Sequence, residues 1–266
     1  MPNSSITLKV SEHSQHFIKR LHLDKKNIDK QPAGLNFYEK HFKSGQRPTI
    51  QIEHDQYSFD IPFALSFLGT ENVDYLERGI SSFDINSGFA NYFEPIHHDK
   101  AKTLFMNRVQ KLLALGWQQY IHYGDPRLKG KDSYRFIAEG EEVIYGPDPS
   151  YIPTLEEWMT LDTDHTWTLY VDGLFLNIGF RRDRKRMDPD KPGAYLINYE
   201  VYGKEEHAEN QFMGEDRKKW RELWVEDMKQ SKRLRYEIEA ELKTKGYTID
   251  TSYKDPIIHP EDPVEP

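Results

Sequence analysis

The 266-residue chain contains no cysteine. Structural disulfides, thiolate metal sites and cysteine nucleophiles are therefore excluded. It has no run of about 18 apolar residues, the length a membrane-spanning helix requires. The opening stretch MPNSSITLKV lacks the apolar segment of an export signal, so a cytoplasmic protein is expected, with a periplasmic location the alternative if a signal precedes residue 1. There is no Gly-x-Ser-x-Gly, no glycine-rich phosphate cradle and no His-Glu-x-x-His. Positive charge is also in short supply. With 36 Lys and Arg against 44 Asp and Glu, the net charge is -8. That balance disfavours a nucleic-acid partner, whose phosphates select basic surfaces, and suits a basic protein partner.

What is present is aromatic and well patterned. Phe, Tyr and Trp make up 13% of the chain, more than a disordered sequence carries. The clearest local signal is Thr166–Arg181, TWTLYVDGLFLNIGFR. Asp172-Gly173 supplies the two positive-φ positions of a type I′ turn. On one side Trp167, Leu169 and Val171 alternate with Thr166, Thr168 and Tyr170. On the other, Leu174, Leu176, Ile178 and Phe180 alternate with Phe175, Asn177 and Gly179. This predicts a hairpin with one apolar and one mixed face. A second hairpin is expected in Thr49–Leu68, where Ile50 and Ile52 precede a His54-Asp55-Gln56 turn and Tyr57, Phe59 and Ile61 follow. Pro62 marks an edge or a bulge there.

Helical spacing places Leu104, Phe105, Val109, Leu112 and Leu113 on one stripe of a helix from about Asp99 to Leu115, stopped by Gly116. A longer helix is predicted from Glu215 to Lys245, with Trp220, Leu223, Trp224, Met228, Leu234, Ile238 and Leu242 on its apolar face. At ~1.5 Å per residue it would run roughly 45 Å, enough to overhang a small sheet or reach the other half of the chain. Strands are expected at Ile6–Val10, Ser81–Pro95, Trp117–Tyr123, Ala194–Tyr202 and Tyr247–Tyr253, and a short helix at Glu12–Leu23. Residues 1–48 otherwise read as irregular. Thr154-Leu155-Glu156-Glu157 is a capping box for a short helix inside an irregular crossover, Gly124–Asp164.

Gly116-Trp117, Tyr123 and Asp125-Pro126 match Gly246-Tyr247, Tyr253 and Asp255-Pro256 at a fixed offset, each after an amphipathic helix. The expectation is an α+β fold of antiparallel sheets, each packed against one helix, with a duplicated hairpin-strand-helix-strand unit. The division is 1–126, a crossover at 127–165, a second half at 166–256 and a Pro-rich tail at 257–266.

Chemistry-bearing residues are few. Glu94, His97, His98 and Asp99 form a polar knot that would serve as a metal site or an acid-base pair, and His122 with Asp125 and Arg127 would join it if the strand at Trp117 ended beside it. A helix cap explains the same residues. Arg181, Arg182, Arg184, Lys185 and Arg186 form a basic cluster at the end of the hairpin, suited to a phosphate or an acidic partner. Interleaved Asp183, Asp188 and Asp190 favour reading it as a solvated, self-compensated turn.

Several landmarks together resemble bacterial proteins encoded beside type VI secretion effectors, identified as their immunity proteins. They are Gly116-Trp117 with Tyr120-Ile121, Asp125-Pro126-Arg127-Leu128, Gly130, Pro153–Met159, Asp172-Gly173, Lys191–Leu196 and Gly246-Tyr247 to Asp255-Pro256. They cover about half the chain. The resemblance implies a non-enzymatic protein without cofactor or metal, whose partner is a cognate toxin. The expected partner-binding residues are Arg181, Arg182, Arg184, Arg186, Asp125, Arg127, Tyr151 and Trp158. The alternative is a metal-dependent or acid-base hydrolytic enzyme using His97, His98 and His122, with Glu94.

Overall fold

A computed structural model describes residues 5–140, 145–161, 165–260 and 262. In chain order the strands are β1 (Ser5–Leu8), β2 (Ile28–Gln31), β3 (Leu35–His41), β4 (Thr49–Ile52), β5 (Phe59–Ile61), β6 (Ala64–Asn72), β7 (Ser82–Ser87), β8 (Ile96–His97), β9 (Gln118–Gln119), β10 (Thr166–Val171), β11 (Leu174–Arg182), β12 (Pro192–Gly193) and β13 (Tyr195–Gly203). The α-helices are α1 (Ser14–Leu21), α2 (His98–Ala114), α3 (Lys131–Glu139), α4 (Leu155–Thr160), α5 (Lys204–Glu209) and α6 (Trp220–Thr244). The class is α+β, as expected.

The expected pair of separate sheets is replaced by one sheet common to both halves. Eight strands run in the order β2-β3-β6-β7-β13-β11-β10-β9, every pair antiparallel, and β7 meets β13 at the centre. A three-stranded sheet, β1-β4-β5, stands apart from it. The hairpin predicted at residues 49–61 is β4–β5, and it lies in that smaller sheet, with β5 at the edge as Pro62 required. The hairpin at 166–182 is β10–β11 in the large sheet. Asp172 (φ 42°) and Gly173 (φ 83°) occupy the left-handed turn positions that an Asp-Gly pair tolerates.

Because the two hairpins lie in different sheets, the repeated pattern is confined to the helix ends. Gly116 and Gly246 both take positive φ, and Trp117 and Tyr247 donate back to Leu112 (3.1 Å) and Leu242 (3.0 Å). This is the same glycine cap closing two different helices. Residues 247–253 form no strand and make a single bridge, Ile249 to Leu128. The cap brings the two echoed segments side by side: Tyr253 Oη accepts from the Ile121 N–H (2.8 Å), and Tyr123 Oη donates to the Pro256 carbonyl (3.1 Å).

One face of the large sheet is covered along its length. On α1, Phe17 touches the rings of Tyr38, Phe67 and Phe83. On α2, Phe105 packs against Trp158, Trp167 and Phe180. The opposite face is covered at one end by α5 and α6, where Trp220, Trp224 and Met228 bury against Tyr120, Tyr123, Phe175 and Tyr202. Beyond Met228 the buried line of α6 continues not through Leu234, which is half exposed, but through Lys232, Arg235 and Glu239 before returning to Leu242. Arg235 bonds both Asp255 oxygens (3.0 Å each) and the His122 carbonyl (2.7 Å). Arg127 holds Glu239 with two parallel bonds of 2.9 Å. The charged half of α6 thus fastens both echoed segments. Among the described residues no helix is long and apolar enough to cross a membrane.

Candidate functional site

The described elements leave the far face of the large sheet open over its middle strands, where strand register places polar side chains in two rows. Leu68, Asp84, Glu200, Asn177 and Thr168 form one row across five strands. Ser66, Asn86, Asn198, Gly179 and Thr166 form the next. Asp84, Asn86, Thr166, Asn177, Asn198 and Glu200 of these rows line a furrow of about 370 Å³. Its amides are tied down: Asn198 Nδ2 donates to Asn86 Oδ1 (2.5 Å), Asn86 Nδ2 to Ser66 Oγ (3.1 Å) and Asn177 Nδ2 to Glu200 Oε2 (2.8 Å), while Thr168 Oγ1 donates to Asn177 Oδ1 (2.8 Å).

At the centre Asp84 and Glu200 are direct cross-strand partners. Like charges directly opposite are destabilising, and among the described residues neither carboxylate has an ion-pair partner. Burial in the furrow, with the Glu200 charge beside it, pushes the Asp84 carboxyl up to about 6. Asp84 keeps contact with solvent, which tempers the shift. Since its ordinary value is about 3.9, the ionised form carries a folding penalty that is fully present above pH 6 and disappears as pH falls through the interval below. Asp84→Asn is therefore expected to stabilise the fold at pH 7.5, by about 0.5 kcal/mol, and to converge with the wild type below pH 4. Urea midpoints at the two pH values test this, and a less stable variant at pH 7.5 would contradict it.

At Thr166 the furrow adjoins a smaller cavity of about 140 Å³, lined by Tyr120, His122, Asp125, Tyr145 and Thr168. Burial raises the Asp125 carboxyl above its ordinary range, outweighing the opposing pull of His122 and Arg235. Of the expected partner-binding residues, Arg181 stands exposed at the furrow's end, while Asp125 lines the adjoining cavity.

The remaining expected residues have other positions. Trp158 is fully buried, stacked on Phe180 at 4.1 Å and donating to Tyr195 Oη (3.2 Å). Arg182 is buried over the Trp158, Phe180 and Tyr195 rings and donates to the Trp158 carbonyl (2.8 Å) at the C-terminal end of α4. Arg127 is engaged by Glu239. These three are core groups rather than surface contacts. Tyr151 bonds the Glu157 carboxylate, and Glu157 also closes the capping box of α4 with Thr154. Arg184 and Arg186 lie on an exposed turn, where Arg186 and Lys191 face Asp183 and Asp188, the self-compensated arrangement that the interleaved charges predicted.

His97, His98, His122 and Glu94 are not brought together. His97 and Glu94 are exposed. His98 is buried, with Nδ1 against Tyr195 Oη and its ring so close to Gly193 that a Cβ there would lie 2.5 Å away. His122 is held by Gln211 (2.9 Å) and lines the cavity with Tyr120 and Tyr145. Among the described residues no group of three or more His, Asp or Glu could hold a metal ion. The sequence reading missed Asp84, Glu200, Asn86 and Asn198. The only signal available was the polar phase of each strand, because the pairing of Asp84 with Glu200 is fixed by the register of strands distant in the chain. Comparison with protein-family models, with curated proteins and with solved structures finds no match.

Proposed function

We propose that this chain is an immunity-type binding protein that neutralises a cognate toxic effector by holding it on the open face of the large sheet. The observation that supports this reading best is the Asp84–Glu200 pair: two carboxylates held directly opposite at the centre of an accessible furrow, without an ion-pair partner among the described residues. A lysine or arginine of a partner would relieve their repulsion, so the interface gains what the free fold lacks. The net charge of -8 would speed encounter with a basic toxin.

Co-expression with the effector encoded beside its gene is expected to restore growth. The double variant Asp84→Lys, Glu200→Lys is expected to lose protection and to weaken binding by about 2 kcal/mol or more, some 30-fold. Undiminished toxicity in the presence of the wild-type protein would refute the reading. Unchanged affinity in a folded charge-reversal variant would remove the furrow from it.

A further inference from the structure

Arg47, in the segment joining β3 to β4, is a buried cation of a different kind from those on α6. Arg127 is met by Glu239, and Arg235 and Lys232 by Asp255. Arg47 is only 8% exposed, yet among the described residues it has no ion pair. Its Nη1 donates to the Ala90 carbonyl (2.7 Å), and its Nε is buried without a hydrogen-bond partner. An uncompensated buried charge is costly.

The surrounding chain fixes the guanidinium where it is. Asn91 accepts from the Arg47 N–H (2.9 Å) and donates to the Gly45 carbonyl (3.0 Å), clasping the segment after β7 to the segment before β4. Gly88 passes so close that a Cβ would lie 3.0 Å from Arg47 Nη1. A second cation, Arg108 of α2, grips the same loop through the Gly88 carbonyl (2.8 Å).

Arg47 lines a pocket of about 160 Å³ with Phe89, Tyr92, Phe93, Lys100 and Tyr195. Tyr92 and Phe93 are 59% and 61% exposed. Glu94 also lines the pocket but forms no ion pair among the described residues. In a chain of net charge -8 this is a cationic, aromatic-rimmed recess. Leu196, which also lines it, is two residues from Asn198 on the same face of β13.

We infer that this recess anchors an acidic side chain of a protein partner, a Glu or Asp flanked by an apolar residue that covers Tyr92 and Phe93. The buried guanidinium supplies a charge-assisted hydrogen bond. Exposed aromatic side chains around it are the type that dominates interface energies. The inference goes beyond the toxin-neutralising reading and stands without it.

The test pans a phage-displayed random heptapeptide library against the full chain, then measures the enriched peptide, fluorescein-labelled, on variants. A consensus containing Glu or Asp beside an apolar residue is expected. Arg47→Met should weaken binding about tenfold or more, and replacing the peptide's acid by its amide should do the same. Arg47→Met removes a buried group, so Phe93→Ser, at an exposed position the core does not use, provides a second variant with the same expected loss. Absence of enrichment, a consensus without an acid, or an acidic peptide that binds both variants like the wild type would overturn the inference.

Discussion

Glu239→Gln is expected to destabilise the fold by about 3–5 kcal/mol, the cost of breaking a buried ion pair from one side. Glu239 is 2% exposed and Arg127 7%. Three bonds of 2.9 Å converge on this carboxylate, from the Arg127 backbone N–H, Nε and Nη2. Burial alone would raise the Glu239 carboxyl, but the Arg127 side-chain and backbone bonds hold it below its ordinary range. Glutamine keeps the shape and removes the charge, leaving the guanidinium buried without the carboxylate that grips it bidentately. The pair also sets the path of the chain: Asp250 N–H donates to the Arg127 carbonyl (2.7 Å), and Leu128 bridges Ile249. The loss should therefore loosen residues 247–256 as well as lower the urea midpoint, and amide exchange there should accelerate. Arg127→Met with Glu239→Leu should recover part of the stability, because an apolar pair of similar volume leaves no buried charge, although the Arg127 backbone N–H loses its acceptor. A loss under about 1 kcal/mol in the single variant would show that water reaches the pair and screens it.

What the sequence made legible follows from how each element is buried. The β10–β11 hairpin, α2 and the capping box of α4 were readable because their apolar residues fall at the periods of 2 and 3.6 and their ends carry Asp-Gly, Gly116 and Thr154. β2 and β3 were read as irregular because the buried face of β3 is Asn36 and Tyr38, satisfied by Glu71 (2.9 and 2.7 Å), while Leu35 and Phe37 point the other way. A buried polar face erases the alternation that signals a strand. The same effect misplaced the face of α6: Lys232, Arg235 and Glu239 have the composition of a solvated surface and are core. Helix α3 lay hidden among the prolines and glycines of the crossover. Ser81–Pro95 contains only the six residues of β7, since the segment from Gly88 leaves the sheet to wrap Arg47. Asp164 and the tail beyond Pro260, Asp262 excepted, lie outside the described residues. The furrow was the least legible feature, because each of its residues is ordinary on its own strand and becomes unusual only beside its cross-strand partner.

Between pH 7.5 and 4.5, acid is expected to lower the stability of the protein through His207. This side chain is 5% exposed, lies flat on Phe175 at 3.8 Å with Tyr202 alongside, and bonds Tyr120 Oη through Nε2 (3.0 Å). Burial, with a smaller contribution from the His122 charge, lowers its pKa from 6.5 to about 3. The sign follows directly. The folded pKa lies below the unfolded one, so between pH 6.5 and 3 the unfolded chain takes a proton that the folded chain refuses. Stability attributable to His207 is thus complete above pH 6.5 and is lost as pH falls, at about 1.4 kcal/mol per pH unit, or about 2 kcal/mol by pH 5. The Asp84 carboxyl acts in the opposite direction between about pH 6 and 3.9 and is the weaker of the two because it remains in contact with solvent. His207→Phe keeps the stack on Phe175 and removes the titration. It should cost about 1 kcal/mol at pH 7.5, from the lost bond to Tyr120, and should overtake the wild type near pH 5.5. Urea unfolding followed by circular dichroism from pH 7.5 to 4.5 measures both curves. Parallel curves across that range would mean that His207 takes up its proton in the folded state, and that the aromatic stack between α5 and the sheet opens to water before the fold does.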